Sequence, residues 1–126
     1  ISWTMVMDFT PVFAITTGEW NHSFAALREN RECVIAIPTV DLLDKVVGIG
    51  TCSGADTDKF AKFNLTPVQA KVVRPALIKE CFANIECKVI DIVQRHNIVV
   101  LEGTFIVDGR KIDRRKMMAS KLPPSV

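Results

Sequence analysis

The feature that most constrains this chain is the pair of apolar runs Ile85–Val93 and Ile98–Leu101, separated by Arg95-His96-Asn97. Val and Ile dominate both runs, and β-branched side chains pack well on a pleated surface while losing rotamer freedom in a helix. Ile85, Cys87, Val89, Asp91 and Val93 alternate with Glu86, Lys88, Ile90 and Ile92, a two-residue period with one wetter face at its start. The polar triplet between the runs reads as a turn, so the two strands are expected to pair as a hairpin. Further strands are expected at Val12–Thr17, Cys33–Ile37 and Phe105–Val107, the last followed by the turn signal Asp108-Gly109.

Helices are expected between the strands. Ser23 is placed to cap Phe24–Glu32, with Phe24 and Leu27 on one face. Thr39 is placed to cap Val40–Val47, ended by Gly48, and Asp56 or Thr57 to cap a short helix carrying Phe60 and Phe63. A loop marked by Pro67 and Pro75 leads back to strand. The class is therefore mainly β with inserted helices in a single domain, a β-barrel or an α+β sheet rather than a regular βαβ alternation. At 126 residues the chain is long enough to bury its own core. Its 48% hydrophobic content and mean hydropathy of +0.22 exceed what that core needs, which implies a subunit interface or a bound apolar ligand.

Several function classes are disfavoured by composition. A net charge of +2 gives no nucleic-acid footprint, and the basic cluster Arg110, Lys111, Arg114, Arg115 and Lys116 is interleaved with Ile112, Met117 and Met118 as in an amphipathic tail. No run approaches the roughly 18 apolar residues of a membrane helix. The cysteines at 33, 52, 81 and 87 form no C-x-x-C, and the two histidines lie far apart, so no metal site is expected; reduced thiols fit a cytoplasmic protein.

Three stretches are candidates for ligand chemistry. In the opening ISWTMVM, Trp3, Met5 and Met7 share one face of a strand and Ser2, Thr4 and Val6 the other. Hydroxyls and backbone amides there suit a polar heterocycle, and Trp3 and Met5 its apolar faces; a buried edge strand is the plain alternative. In NHSFAALREN, the Ser23 hydroxyl and the first N–H groups of a helix form an anion site, or only an N-cap. In GIGTCSGADTDKF, Gly48, Gly50 and Gly54 let the backbone approach a ligand closely, and Lys59 follows to neutralise a phosphate; a helix-terminating turn explains the same residues. The stretch is neither a P-loop nor a dinucleotide fingerprint. No nucleophile with a partner and no carboxylate pair stands out, so any hard chemistry would belong to a cofactor.

Taken in order, ISWTMVMDFTPVFAITT, HSFAALRENRECVIAIP, VVGIGTCSGADTDKFAKFNLTP, Pro75–Glu80 and CFANIECKVID resemble the flavin reductase-like FMN-binding proteins, most closely their flavoredoxin branch. The resemblance implies a split β-barrel that binds FMN non-covalently, usually as a homodimer with the flavin near the interface. It implies that Ser2, Trp3, Thr4 and Met5 line the flavin ring and ribityl chain. Thr17, Ser23 and Lys59 would then hold the phosphate, with Cys52 and Ser53 close by. The implied activity is electron transfer from NADH or NADPH through FMN to a flavin, a small acceptor or a partner protein. An FMN electron carrier without its own pyridine-nucleotide site is the nearest alternative, and a small barrel binding haem or nucleic acid a more distant one. The chain departs from the pattern by starting inside the first motif and by joining Val99–Gly103 directly to Gly103–Arg110. Missing segments are therefore expected before residue 1 and near residues 103–104.

Overall fold

The computed structural model describes residues 4–6, 11–54 and 57–108. Its elements are β1 (Thr4–Val6), β2 (Val12–Thr16), α1 (His22–Asn30), β3 (Glu32–Ile37), α2 (Leu43–Gly50), α3 (Lys59–Lys62), β4 (Pro67–Val68), β5 (Leu77–Ile78), β6 (Ala83–Val93) and β7 (Ile98–Asp108). Five strands make one antiparallel sheet in the order β1-β2-β7-β6-β3, and β4 pairs with β5 in a separate two-stranded ribbon.

The β6–β7 hairpin is the spine. A 3-10 turn at Gln94–His96 closes it, and Asn97 takes a left-handed conformation at φ 57°, which Asn tolerates better than most residues. Two bulges modify the expected alternation. Val89 pairs with Leu101 and Asp91 with Val100, so Ile90 is the extra residue. The inward face thereby passes from Val89 to Ile92, which packs on the core, instead of continuing through Asp91 and Val93. The second bulge leaves Thr104 between the pairs Glu86–Phe105 and Cys87–Gly103. Through it the strands expected at Ile98–Leu101 and Phe105–Val107 run as one, and Thr104 Oγ1 donates to the Glu86 carbonyl at 3.1 Å. Gly103 fits closely here: a Cβ would lie 3.1 Å from Ile85 Cγ2 and 3.2 Å from Phe13 Cε2, so both side chains would have to shift slightly.

One face of the sheet carries the main core, in which Ile15, Ile85, Cys87, Val89, Val99 and Leu101 pack with Phe24 and Leu27 of α1. The other face is covered by the segment that includes β4 and β5. Ala70, Val73 and Leu77 pack on Val34, and two polar side chains of β6 fasten the cover. Asn84 accepts from Ile78 N–H at 2.9 Å and donates to Ile78 O at 3.0 Å. Glu86, fully buried, accepts from the N–H groups of Lys71, Val72 and Val73 at 3.0, 2.7 and 3.1 Å. The face expected to be wetter at the start of this strand is therefore a buried polar clamp.

The caps also differ from expectation. Asn21, not Ser23, caps α1, its side chain accepting from Ser23 N–H at 3.1 Å; Ser23 lies within the first turn. Asp58, not Asp56 or Thr57, caps α3 through Ala61 N–H. Thr39 precedes a 3-10 turn at Val40–Leu42 that leads into α2, and its hydroxyl bonds the Asp41 carboxylate rather than a helix N–H.

Candidate functional site

The candidate residues gather around the end of β2 and the start of α1. β2 delivers Thr17 to a buried position, its N–H bonded to Asn97 O at 3.0 Å. Five residues later α1 begins, and Asn21 N–H closes the intervening turn on Gly18 O at 2.9 Å. The Trp20 ring folds over Gly18, where a Cβ would collide with it, yet the indole stays 72% exposed. Glu19 accepts from Gln94 Nε2 at 2.6 Å, tying this turn to the β6–β7 hairpin.

Among the described residues, the Thr17 hydroxyl is the buried side-chain polar atom without a hydrogen-bond partner. Thr17 is 2% exposed, and an unmade bond at such a site costs about 1–3 kcal/mol unless a ligand or water completes it. Five residues further along the chain α1 starts with no acidic residue in its first turn, where the helix dipole favours an anion.

The glycine-rich stretch closes on the same place. Gly54 lies against His22 at the head of α1, close enough that a Cβ would sit 3.1 Å from His22 Cδ2. Cys52 and Ser53 immediately precede it, so their loop borders the α1 N-terminus. Cys52 N–H and Lys59 Nζ both donate to Ile49 O, at 3.3 and 3.0 Å, so Lys59 tethers α3 to the C-terminal end of α2. That bond uses one of the three ammonium donors. Lys62 Nζ donates to Cys52 Sγ at 3.3 Å and adds a second cation beside the loop.

Thr4 and Met5 lie on β1 at the sheet's edge, opposite Ile15 and Ala14, and Met5 is 57% exposed. Ser2 and Trp3 lie outside the described residues. Ser23 thus lies in the first turn of α1, Thr17 five residues before that helix, Cys52 and Ser53 in the loop whose Gly54 meets His22, Lys59 on Ile49 O with Cys52, and Thr4 and Met5 on the strand paired with β2. Gly54 was among the glycines singled out from sequence, whereas Asn21 and Lys62 were not, and His22 was not read as a neighbour of this site. Asn21 carried a readable signal, an Asx residue three positions before the first core residue of a helix. No group of three or more His, Cys, Asp or Glu side chains suited to a metal occurs among the described residues, and no helix among them is long and apolar enough to cross a membrane.

Residues 1–117 match the family model for the flavin reductase like domain. The chain belongs to the flavin reductase-like family. The fold is that family's split barrel, in a chain that is mostly β with few helices. This flavin reductase-like chain is 36% identical over 110 residues to an uncharacterized protein of Archaeoglobus fulgidus, covering 85% of this chain and 62% of that protein. Flavoredoxin of Desulfovibrio vulgaris (Miyazaki F) has a similar structure, with a TM-score of 0.80 and 24% identity over 85% of this chain and 58% of that one. An FMN-binding domain of a flavin reductases-like enzyme from Shewanella baltica gives a TM-score of 0.76 at 19% identity, covering 82% and 57% respectively. The chain therefore spans about three-fifths of the length of these proteins.

Proposed function

We propose that this chain binds FMN non-covalently and serves as an oxidoreductase, passing electrons from NADH or NADPH to a free flavin, a small acceptor or a partner protein. The observation that carries the reading is the orphaned, buried Thr17 hydroxyl, on the segment that leads into an acid-free helix N-terminus, in a member of the flavin reductase-like family. When bound, FMN would supply the hydride-accepting chemistry, which side chains do not provide.

The chain's own residues bind and orient. Thr17 donates its unpaired O–H to the ligand, and Ser23 adds a hydroxyl in the first turn of α1. Lys59, beside the loop of Cys52 and Ser53, neutralises the phosphate through charge-assisted hydrogen bonds. Ser2, Trp3, Thr4 and Met5 line the ring and ribityl chain, with hydroxyls toward polar edges and Trp3 and Met5 on apolar surface. Holding two planar reactants in register is the main acceleration such a site offers; alignment of this kind is worth roughly 7–11 kcal/mol. A homodimer fits the reading, because Val40, Leu43, Val46 and Val47 form an exposed apolar face along the 3-10 turn and α2, none of whose residues is buried.

The test is the absorption spectrum and flavin stoichiometry of purified protein supplemented with FMN, followed by anaerobic mixing with NADH or NADPH. Bound flavin that bleaches promptly is expected. Bound flavin that stays yellow for minutes identifies an electron carrier served by another protein, and a protein that takes up no FMN overturns the reading. Lys59→Ala is expected to weaken FMN binding at least tenfold, in line with the roughly 1.5–3 kcal/mol of a hydrogen bond to a charged group. Unchanged affinity removes Lys59 from the phosphate site.

A further inference from the structure

Two cysteines outside the candidate site face each other across β3 and β6. Cys33 and Cys87 are direct register partners. Val89 N–H donates to Arg31 O at 2.9 Å, which makes 31/89 a hydrogen-bonded pair of the ladder and, two residues on, 33/87 as well. Such pairs hold their Cα atoms about 5.5 Å apart, inside the roughly 4.4–6.8 Å that disulfides span. Both cysteines are free thiols, and the two side chains share a hydrogen bond.

Their surroundings divide the labour. Cys87 is fully buried, and its S–H donates to Ile85 O at 3.5 Å. Cys33 is only partly buried, on the strand that ends the five-stranded sheet. The shared hydrogen bond, then burial, push the Cys33 thiol well up. The same hydrogen bond, against burial and with help from Ile35 N–H, holds the Cys87 thiol below its ordinary value. Exposure, not ease of ionisation, sets Cys33 apart: it is the less buried of the two sulfurs, while the shared hydrogen bond makes it the harder thiol to ionise.

We propose that Cys33 and Cys87 are a redox-active dithiol that hydrogen peroxide oxidises to a disulfide between β3 and β6. Cys33 sulfur attacks a peroxide oxygen, the O–O bond breaks, and the leaving hydroxide departs as water with the thiol proton, leaving a sulfenic acid. Cys87 sulfur then attacks Cys33 Sγ; the S–O bond breaks, and hydroxide leaves as a second water with the Cys87 proton. The sulfur pair loses two electrons and the peroxide gains them. A small dithiol reverses the reaction by exchange. The inference is independent of the flavin reading.

The experiment treats the native chain with hydrogen peroxide, alkylates the remaining thiols and maps the peptides by mass. Free thiols are expected to fall from four to two, with one intramolecular link joining the peptides of Cys33 and Cys87, and dithiothreitol restoring all four. A variant with Cys52→Ser and Cys81→Ser is expected to lose two hydrogens in the same way, while Cys33→Ser and Cys87→Ser form no internal link. Should either single variant fail to fold, the native chain and the Cys52/Cys81 double variant decide alone. Four thiols retained, a link through Cys52 or Cys81, or an oxygen adduct on Cys33 beside an intact Cys87 thiol would overturn the proposal.

Discussion

Replacing Glu86 with Gln tests whether the buried clamp holds the covering segment on the sheet. The carboxylate accepts Val72 and Val73 N–H on one oxygen and Lys71 N–H on the other. An amide of the same shape keeps its oxygen toward Val72 and Val73, and its NH2 group then faces the Lys71 N–H, donor against donor. Hydrogen bonds to a charged acceptor are worth about 1.5–3 kcal/mol and neutral ones about 0.5–1.5, so each retained bond weakens by about 1 kcal/mol. The third bond is lost outright, at about 1.5 kcal/mol or more. A neutral amide is cheaper to bury than a carboxylate, which offsets part of the loss. The net expectation is about 2–3 kcal/mol, a large fraction of the roughly 5–15 kcal/mol that holds a typical domain folded.

Urea unfolding measures this as a lower midpoint at unchanged slope. Acid supplies the second arm. Burial pushes the Glu86 carboxyl up, but the N–H groups of Lys71, Val72 and Val73 outweigh it and hold the group below its ordinary value of 4.5. A lowered folded-state value stabilises the protein above the unfolded-state value, and that stabilisation disappears as pH falls through the folded-state one. The gap between native protein and variant is therefore expected to be full near neutrality and to narrow in acid. The exposed Arg74–Glu32 ion pair, at 3.7 Å with Arg74 72% exposed, is a control whose removal by Arg74→Ala should cost no more than about 1 kcal/mol. A Glu86→Gln change below about 0.5 kcal/mol, or a gap independent of pH, would refute the clamp.

Two substitutions separate binding from folding at the candidate site. Thr17→Val removes an unpartnered buried hydroxyl at nearly constant volume, so stability should hold or rise by up to about 1 kcal/mol while FMN affinity falls roughly three- to tenfold; calorimetry and flavin titration read the two effects, and unaltered affinity takes Thr17 out of the site. Asn21→Ala should cost about 1 kcal/mol and Ser23→Ala less than half of that in thermal unfolding, because Asn21 supplies the α1 cap; the reverse order would return the cap to Ser23.

The hairpin was legible because its signals are local. Val and Ile runs flank a triplet whose Asn97 can adopt a positive φ, and those residues specify the turn whatever lies above the sheet. The cap of α1 was half legible: Asn21 and Ser23 are both good cap residues, and only the backbone conformation at Asn21, φ −103° and ψ 130°, decides between them. Glu86 was not legible. An acid on the alternate face of a strand reads as solvated by default, and its three donors come from positions 71–73, brought near by the fold alone. The bulges were hidden for a related reason. Ile90 and Thr104 are ordinary strand residues, and what makes each the odd one out is its partner strand's register.

The same distinction explains why the candidate site was only partly readable. Ser23 and Lys59 were picked out for their chemistry, and the structure links them through contacts no spacing encodes: Lys59 and Cys52 meet on Ile49 O, and Gly54 meets His22. Thr17 was placed among the phosphate residues by family resemblance alone, since a threonine ending an apolar strand carries no local sign of function. Its significance is a three-dimensional fact, a hydroxyl enclosed on all sides and bonded by none of the surrounding protein. Enclosure raises the cost of leaving that donor unpaired, and the cost is removed by a ligand that accepts from it. On the proposed reading, binding energy at Thr17 is held in the free protein as an unmet bond, and the Thr17→Val variant is expected to fold as well as the native chain and bind FMN less tightly.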